Sequence, residues 1–295
     1  MEPNVQLTDY IESCLTNIYG HHVTILSMQP VSGGDINRSY CLRMDDGKKL
    51  MMKLNSNSAY PNMFELESCG LDLIRNTHTI AVPNVVLQSH YADQSFLLME
   101  WIDSTKPSAS TSALLGQQLA AMHRHTAARF GLGHDNYMGS LQQSNRMHNT
   151  WAEFFINERL QPMVQTAVNK QLLSNVDVKQ FDRLYNIMSS LFEEEAPGLI
   201  HGDLWGGNYL IANNGTPFLI DPAVSYGNRE FDIAMSTLFG GFDKSFYDAY
   251  NEGFPLAHAW QQRLDLWNLY PLLLHLNLFG GGYLGQVKSC LQKYV

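Results

Sequence analysis

Short strand-like runs crowd into the first 102 residues of this 295-residue chain, and long helical segments dominate the remainder. Five runs read as strands: residues 23–31, 40–44, 48–54, 85–89 and 96–102. Asp45-Asp46-Gly47 supplies hairpin chemistry between the second and third. One helix is expected at residues 63–76, and another opens the chain, capped by Thr8, carrying Asp9 and Glu12 in its first turn and ending at Gly20. Residues 103–108, Asp-Ser-Thr-Lys-Pro-Ser, form the best linker. Beyond it, helices are expected at 112–127, 150–168, 178–194, 231–238, 245–250 and 261–279, with strands only around Asn208 and Asp221. The expected class is α+β. Residues 1–102 would form a small antiparallel sheet lobe with one helix, and 103–295 a larger, mainly helical lobe.

Composition narrows the function. A net charge of −9 leaves no basic stripe for nucleic acid, and suits a neutral or cationic small substrate. Cys14, Cys41, Cys69 and Cys290 are scattered and form no CxxC pair, as expected of reduced thiols in the cytoplasm. The N-terminus carries Glu2 and Asp9 where a secretory signal would be basic, and the apolar stretch 264–284 is interrupted by Pro271, His275, Asn277 and glycines. A cytoplasmic protein that contacts no membrane is therefore expected.

Chemistry concentrates in Ile200-His201-Gly202-Asp203-Leu204-Trp205-Gly206-Gly207-Asn208, with Asp221 thirteen positions after Asn208. Asp203 and Asn208 are spaced as in the H-x-D-x-x-x-x-N loop of kinases, and Asp221 follows a short apolar run, where those enzymes hold a second metal ligand. Upstream, Gly33-Gly34 joins two antiparallel strands, which excludes the dinucleotide and Walker fingerprints, since both need strand–loop–helix. The pair is either a plain turn or a place where backbone N–H groups approach phosphates. Lys53 lies in an apolar run, so its ammonium either snorkels to the surface or meets an anion. Glu67, on the following helix, would fix it. Asp203 would orient the attacking hydroxyl and accept its proton, while Asn208 and Asp221 would hold Mg2+ through oxygen. His201 would make a structural hydrogen bond, with a general-base role as the alternative. Trp205 would either stack on a sugar face or pack between loop and lobe. Gly202 and Trp205 stand where protein kinases carry basic residues, Pro222-Ala223 follows Asp221, and no Ala-Pro-Glu segment is present, so the pattern is that of a small-molecule kinase.

The chain resembles the fructosamine kinase (ketosamine kinase) family, within the aminoglycoside- and choline-kinase branch of the protein-kinase-like fold. The resemblance rests on His201-Gly202-Asp203-Leu204-Trp205-Gly206-Gly207-Asn208 and on Asp221-Pro222-Ala223 with Tyr226-Gly227 and Glu230. Val31 to Tyr40, Phe64 to Leu71, Leu98-Met99-Glu100, Leu115 to Ala120 with His123, Arg159 to Pro162 and Phe239 to Phe242 also match in character. It implies ATP-dependent, magnesium-assisted phosphorylation of a sugar hydroxyl on a ketoamine, either a small molecule or a protein-bound adduct, which then falls apart and frees the amine. It also implies a catalytic base at Asp203 and metal ligands at Asn208 and Asp221. The nucleotide would bind at Gly33, Gly34, Asn37, Ser39, Lys53 and Glu67, and adenine against the backbone of a hinge at Glu100, Trp101 and Ile102. Substrate contacts would come from Trp205, Tyr226 and the 264–283 region, and Asp232 would brace the catalytic loop. Asp35 stands where many members carry cysteine, which puts thiol control of that loop in doubt. The alternatives are a kinase of another amine-bearing compound, an aminoglycoside or choline, and a non-catalytic nucleotide-binding module.

Overall fold

Leu50, Met52 and Leu54 alternate with Met51 and Lys53, and this two-residue period places Lys53 on the inner face of the small sheet. The computed structural model describes residues 3–31 and 37–295; the expected glycine turn at Gly33 and Gly34, with Asp35, lies outside the described residues. Helix α1 (Val5–Tyr19) leads into β1 (Ile25–Val31), β2 (Arg38–Met44), β3 (Lys49–Ser56), α2 (Met63–Arg75), β4 (Val85–Tyr91) and β5 (Gln94–Glu100). The strands form an antiparallel sheet in the order β1-β2-β3-β5-β4, so Lys53 sits on the central strand, opposite Ser39 and Leu97. Leu50, Met52, Leu54, Phe96 and Leu98 pack under Leu7, Ile11 and Leu15 of α1 on the outer face. Met51, Leu97 and Met99 pack on the inner face with Phe64, Leu71 and Ile74 of α2.

Asn4, not Thr8, caps α1: its side-chain oxygen accepts the Leu7 N–H at 2.8 Å, and the helix starts a turn earlier than expected. The 103–108 linker is not free either. Ser104–Thr105 forms β6, paired antiparallel to β10 (Tyr209–Ala212), so the connection is tied to the strand that follows the 201–208 loop.

The helical part runs through α3 (Ala109–His123), the hairpin β7 (Asn136–Met138) and β8 (Leu141–Gln143), and α4 (Trp151–Phe154). A π-helical turn, Phe155–Leu160, leads into α5 (Gln161–Asn169), and α6 (Asn175–Ile187) follows. Four short strands bracket the catalytic loop and its neighbour: β9 (Gly198–Ile200), β10, β11 (Pro217–Leu219) and β12 (Ser225–Gly227). Then come α7 (Glu230–Leu238), α8 (Lys244–Gly253), α9 (Leu264–Phe279) and α10 (Leu284–Leu291). The α9 helix carries apolar residues on every face and is buried over most of its length, which accounts for the apolar character of this segment. No helix among the described residues is long and apolar enough to cross a membrane. The apolar cluster under α2 continues into Leu115 and Leu119 of α3 and Phe246 and Tyr250 of α8, so the sheet and the helices share one core.

Candidate active site

Hydrophobic strands carry the catalytic loop, and one buried carboxylate shapes it. Leu199 and Ile200 of β9 deliver the chain to His201, whose N–H donates to Asp232 Oδ2 at 2.6 Å; the Gly202 N–H donates to Asp232 Oδ1 at 2.9 Å. Asp232 lies in the first turn of α7 and is fully buried, and His123 Nε2 stands 3.2 Å from the same carboxylate. Gly202 has a left-handed φ of 81°, and a Cβ there would come within 2.1 Å of the Ala223 carbonyl oxygen, so only glycine fits. The His201 ring has both nitrogens engaged: Nδ1 accepts the Asp203 N–H at 3.2 Å, which leaves the proton on Nε2 to donate to the Ile220 carbonyl at 2.9 Å. Burial lowers its pKa. A histidine bonded in this way ties the loop to the strand before Asp221 and has no nitrogen left to act as a base.

Asp203 sits at the turn and faces the cleft. Asn208 Nδ2 donates to the Asp203 carbonyl at 2.8 Å and to its Oδ2 at 2.9 Å, which leaves the Asn208 amide oxygen for a cation. Burial pushes the Asp203 carboxyl up to about 7, with Asp221 and Asp232 adding to the effect against the hydrogen bond from Asn208 and the charge of Lys53. Asp221 follows β11 with a φ of 56°, an uncommon conformation for a residue other than glycine, and functional sites are a common place for one.

Lys53 Nζ lies 2.6 Å from Glu67 Oε1 and 2.6 Å from Asp221 Oδ1, linking the central strand, α2 and the segment after β11. Burial alone would depress the lysine, but the two carboxylates outweigh it and hold the ammonium above its ordinary pKa. Burial raises Glu67, and Asp221 adds to that, against the pull of Lys53. With Asp203 nearby, three carboxylates face one ammonium. The residues fit a hard cation: two oxygen donors, Asn208 and Asp221, stand where negative charge exceeds positive, and Mg2+ commonly takes one or two protein carboxylates and completes its shell with phosphate and water.

A cleft of about 840 Å³ joins these groups. Asn37, Ser39, Lys53 and Glu67 line its sheet side, and Asp203, Trp205, Asn208 and Asp221 its floor. Of the other expected contacts, Glu100 ends β5, Trp101 and Ile102 follow it, and all three lie outside this cavity's lining. The Glu100 carboxylate holds the Asn84 side chain at 3.0 Å, and the Trp101 indole donates to Asp103 at 3.0 Å. Tyr226 is not brought to the cleft: it lies on β12, half-buried, with its N–H on the Gly131 carbonyl. Trp205 is 39% exposed at the rim, and its ring lies across Gly207, where a Cβ would stand 2.2 Å from it.

Two lining segments escaped the sequence reading. The β7–β8 hairpin contributes Asn136 to Ser140, and Tyr137 reaches the N-terminal part by donating to the Pro61 carbonyl at 3.1 Å. A buried polar chain holds it: Arg159 to Asn145 (2.7 Å), Asn145 to Asn136 (3.0 Å), Gln143 to Asn136 (2.9 Å) and Tyr270 to Gln143 (2.6 Å). The two-residue Gly139-Ser140 turn was the available signal, since glycine first in such a loop favours a tight hairpin. Phe239 and Met235, from α7 and its end, also line the cleft and carry no polar signature.

An antiparallel sheet presenting a carboxylate-held lysine, beside a loop that brings Asp203 and Asn208 to the same cleft as Asp221, defines a phosphotransferase of the protein-kinase-like fold. Comparison with known proteins narrows this. The profile of the family described as "Fructosamine kinase" matches residues 7–295. A "Probable ketoamine kinase" of Enterococcus faecium is 38% identical over 267 residues, 90% of this chain and 94% of its own. "Protein-ribulosamine 3-kinase, chloroplastic" of Arabidopsis thaliana is 37% identical over 285 residues, 94% of this chain and 85% of its own. A crystal structure from Thermobifida fusca, assigned as a fructosamine-3-kinase, superposes with a TM-score of 0.86 at 32% identity, covering 96% of this chain and 98% of that one. The chain belongs to the fructosamine kinase family.

Proposed function

We propose that the protein transfers the γ-phosphoryl group of ATP to a sugar hydroxyl of a ketoamine, at carbon 3 as in the names its relatives carry. The observation that carries this reading is the composition of one cleft: an ionic cluster suited to a triphosphate adjoins an aromatic face suited to a sugar. Lys53, steadied by Glu67, binds the phosphates. Asp203 orients the attacking hydroxyl and accepts its proton, a role suited to a carboxyl poised near neutrality. Asn208 and Asp221 would hold Mg2+, which when bound offsets the charge gathered on the phosphate oxygens. Adenine rests on the backbone of Glu100 to Ile102, and the Trp205 face covers a CH patch of the sugar. Gly33 and Gly34, which lie outside the described residues, are assigned to the phosphates on the sequence pattern alone. The ketoamine phosphate then eliminates inorganic phosphate, and water hydrolyses the remaining carbon–nitrogen bond to free the amine, so the activity serves deglycation, in the cytoplasm, where the four free thiols Cys14, Cys41, Cys69 and Cys290 would stay reduced.

An aminoglycoside, with several ammonium groups, calls for acidic lining on the acceptor side. Among the described lining residues the carboxylates are Glu67, Asp203 and Asp221, all in the ionic cluster. The test is ATP-dependent phosphate transfer to ribulosyl-lysine and fructosyl-lysine beside an aminoglycoside. Turnover of a ketoamine that is lost in Asp203→Ala is expected. Transfer to the aminoglycoside alone would overturn the assignment.

A further inference from the structure

The acceptor side of the cleft ends in a continuous aromatic surface, of which the transfer chemistry uses only Trp205. Trp205 and Phe239 meet edge to face with centroids 6.4 Å apart, and Phe239 meets His275 in a tilted contact at 4.8 Å. His275 in turn meets Phe279 at 5.4 Å and Tyr283 at 5.1 Å. Four segments contribute these rings: the catalytic loop, the end of α7, α9 and the turn before α10. Burial does not explain the arrangement, because Phe239 is 41% and Phe279 52% exposed, among the few large apolar side chains left in water. His275 Nδ1 lies 2.7 Å from the Pro271 carbonyl, its i−4 partner in α9, so the ring is fixed with its proton on Nδ1. No lysine, arginine or carboxylate is found among the described lining residues of this half.

A ketoamine has two ends. The sugar end must reach Asp203. The other carries a secondary amine, protonated near neutral pH, and the alkyl chain of the parent amine. Aromatic faces attract an ammonium through their quadrupole and cover an alkyl stem without needing a counter-charge. We infer that Phe239, Phe279 and Tyr283, ordered around His275, form a subsite for the ammonium and alkyl arm of the substrate. The enzyme therefore selects ketoamines borne on an alkylammonium chain over uncharged ketoses, and the exposed rim lets the arm leave the cleft toward solvent, as an adduct on a polypeptide lysine requires. The inference rests on the ketoamine kinase reading.

The test compares kcat/KM for fructosyl-lysine with that for a 1-O-alkyl fructose of equal chain length, an ether oxygen replacing the ammonium. The wild-type enzyme is expected to prefer the ammonium substrate on the order of tenfold, through KM. Phe279→Leu and Tyr283→Leu keep an apolar side chain and remove the ring. Each should bring the ratio toward unity while the KM for ATP and the melting temperature hold. Phosphorylation of both compounds with equal efficiency, or loss of both in parallel in the leucine variants, would overturn the subsite and leave the ketoamine activity standing. Absence of any ketoamine turnover in the wild type would overturn the functional reading itself and the subsite with it.

Discussion

Asp232 is the strongest place to perturb the catalytic loop without touching the cleft. It is fully buried and accepts two backbone N–H groups of the loop, from His201 at 2.6 Å and Gly202 at 2.9 Å. A buried donor left without an acceptor costs about 1–3 kcal/mol. Asp232→Ala orphans both, so about 2–6 kcal/mol is expected, whereas Asp232→Asn keeps one acceptor and costs about 1–3 kcal/mol. With unfolding entropy scaling at about 2.1 cal/mol/K per residue, a chain of 295 residues gives a melting-temperature drop of roughly 2–5 °C for the asparagine variant. Activity should fall further than stability, because the same bonds set the position of Asp203, and misplacement by about 1 Å can cost 10²-fold in rate. The assay is calorimetry beside steady-state kinetics on Asp232→Asn, with the prediction of a modest melting shift and about a hundredfold loss in kcat. An asparagine variant with wild-type kcat would refute the argument that this carboxylate holds the loop in place.

Other variants isolate the remaining parts. Lys53→Met removes the cation held at 2.6 Å by two carboxylates, and kcat/KM for ATP should fall on the order of 10²–10³-fold, measured by ADP release. Asn208→Ala and Asp221→Asn should raise the magnesium concentration needed for half-maximal rate, and an unchanged requirement would refute their assignment. Because burial raises Asp203 to about 7, the folded state without nucleotide binds a proton that the unfolded chain, at about 3.9, has released. That group favours folding below about pH 4, and its contribution declines as pH rises toward 7. Asp203→Asn should therefore raise the melting temperature at about pH 8 relative to wild type, by an amount that shrinks at about pH 5; His201, lowered by burial, acts in the opposite sense and cancels in the comparison. Gly207→Ala would drive a methyl group into the Trp205 ring, and KM for the ketoamine should rise while KM for ATP holds.

The sequence was most legible where one constraint decides an outcome. Alternation in residues 50–54 places Lys53 opposite the apolar face, and the strand runs before residue 102 reappear as the observed five-stranded sheet. The spacing of Asp203, Asn208 and Asp221 was legible because a tight loop needs its glycines and its acids close together in sequence. Elements defined by partners far away were not. Strands β9 and β12 have three residues each and exist because they pair with each other across a long connection, so local periodicity carries no trace of them. The 103–108 segment has linker composition, yet its backbone finds a partner in β10. Tyr226 was expected near the substrate from the family resemblance; β12 pairs its N–H with the Gly131 carbonyl, and it is not among the described residues lining the cleft. Thr8 has capping chemistry, but Asn4 offers the same chemistry one turn earlier, and the helix takes the longer span.

The most direct measurement is a 31P NMR time course of the protein with ATP, magnesium and ribulosyl-lysine. The prediction is a phosphate-ester signal on the ketose that grows in step with ADP, then declines as free lysine appears. ADP and inorganic phosphate accumulating with no ester on the ketoamine would contradict it.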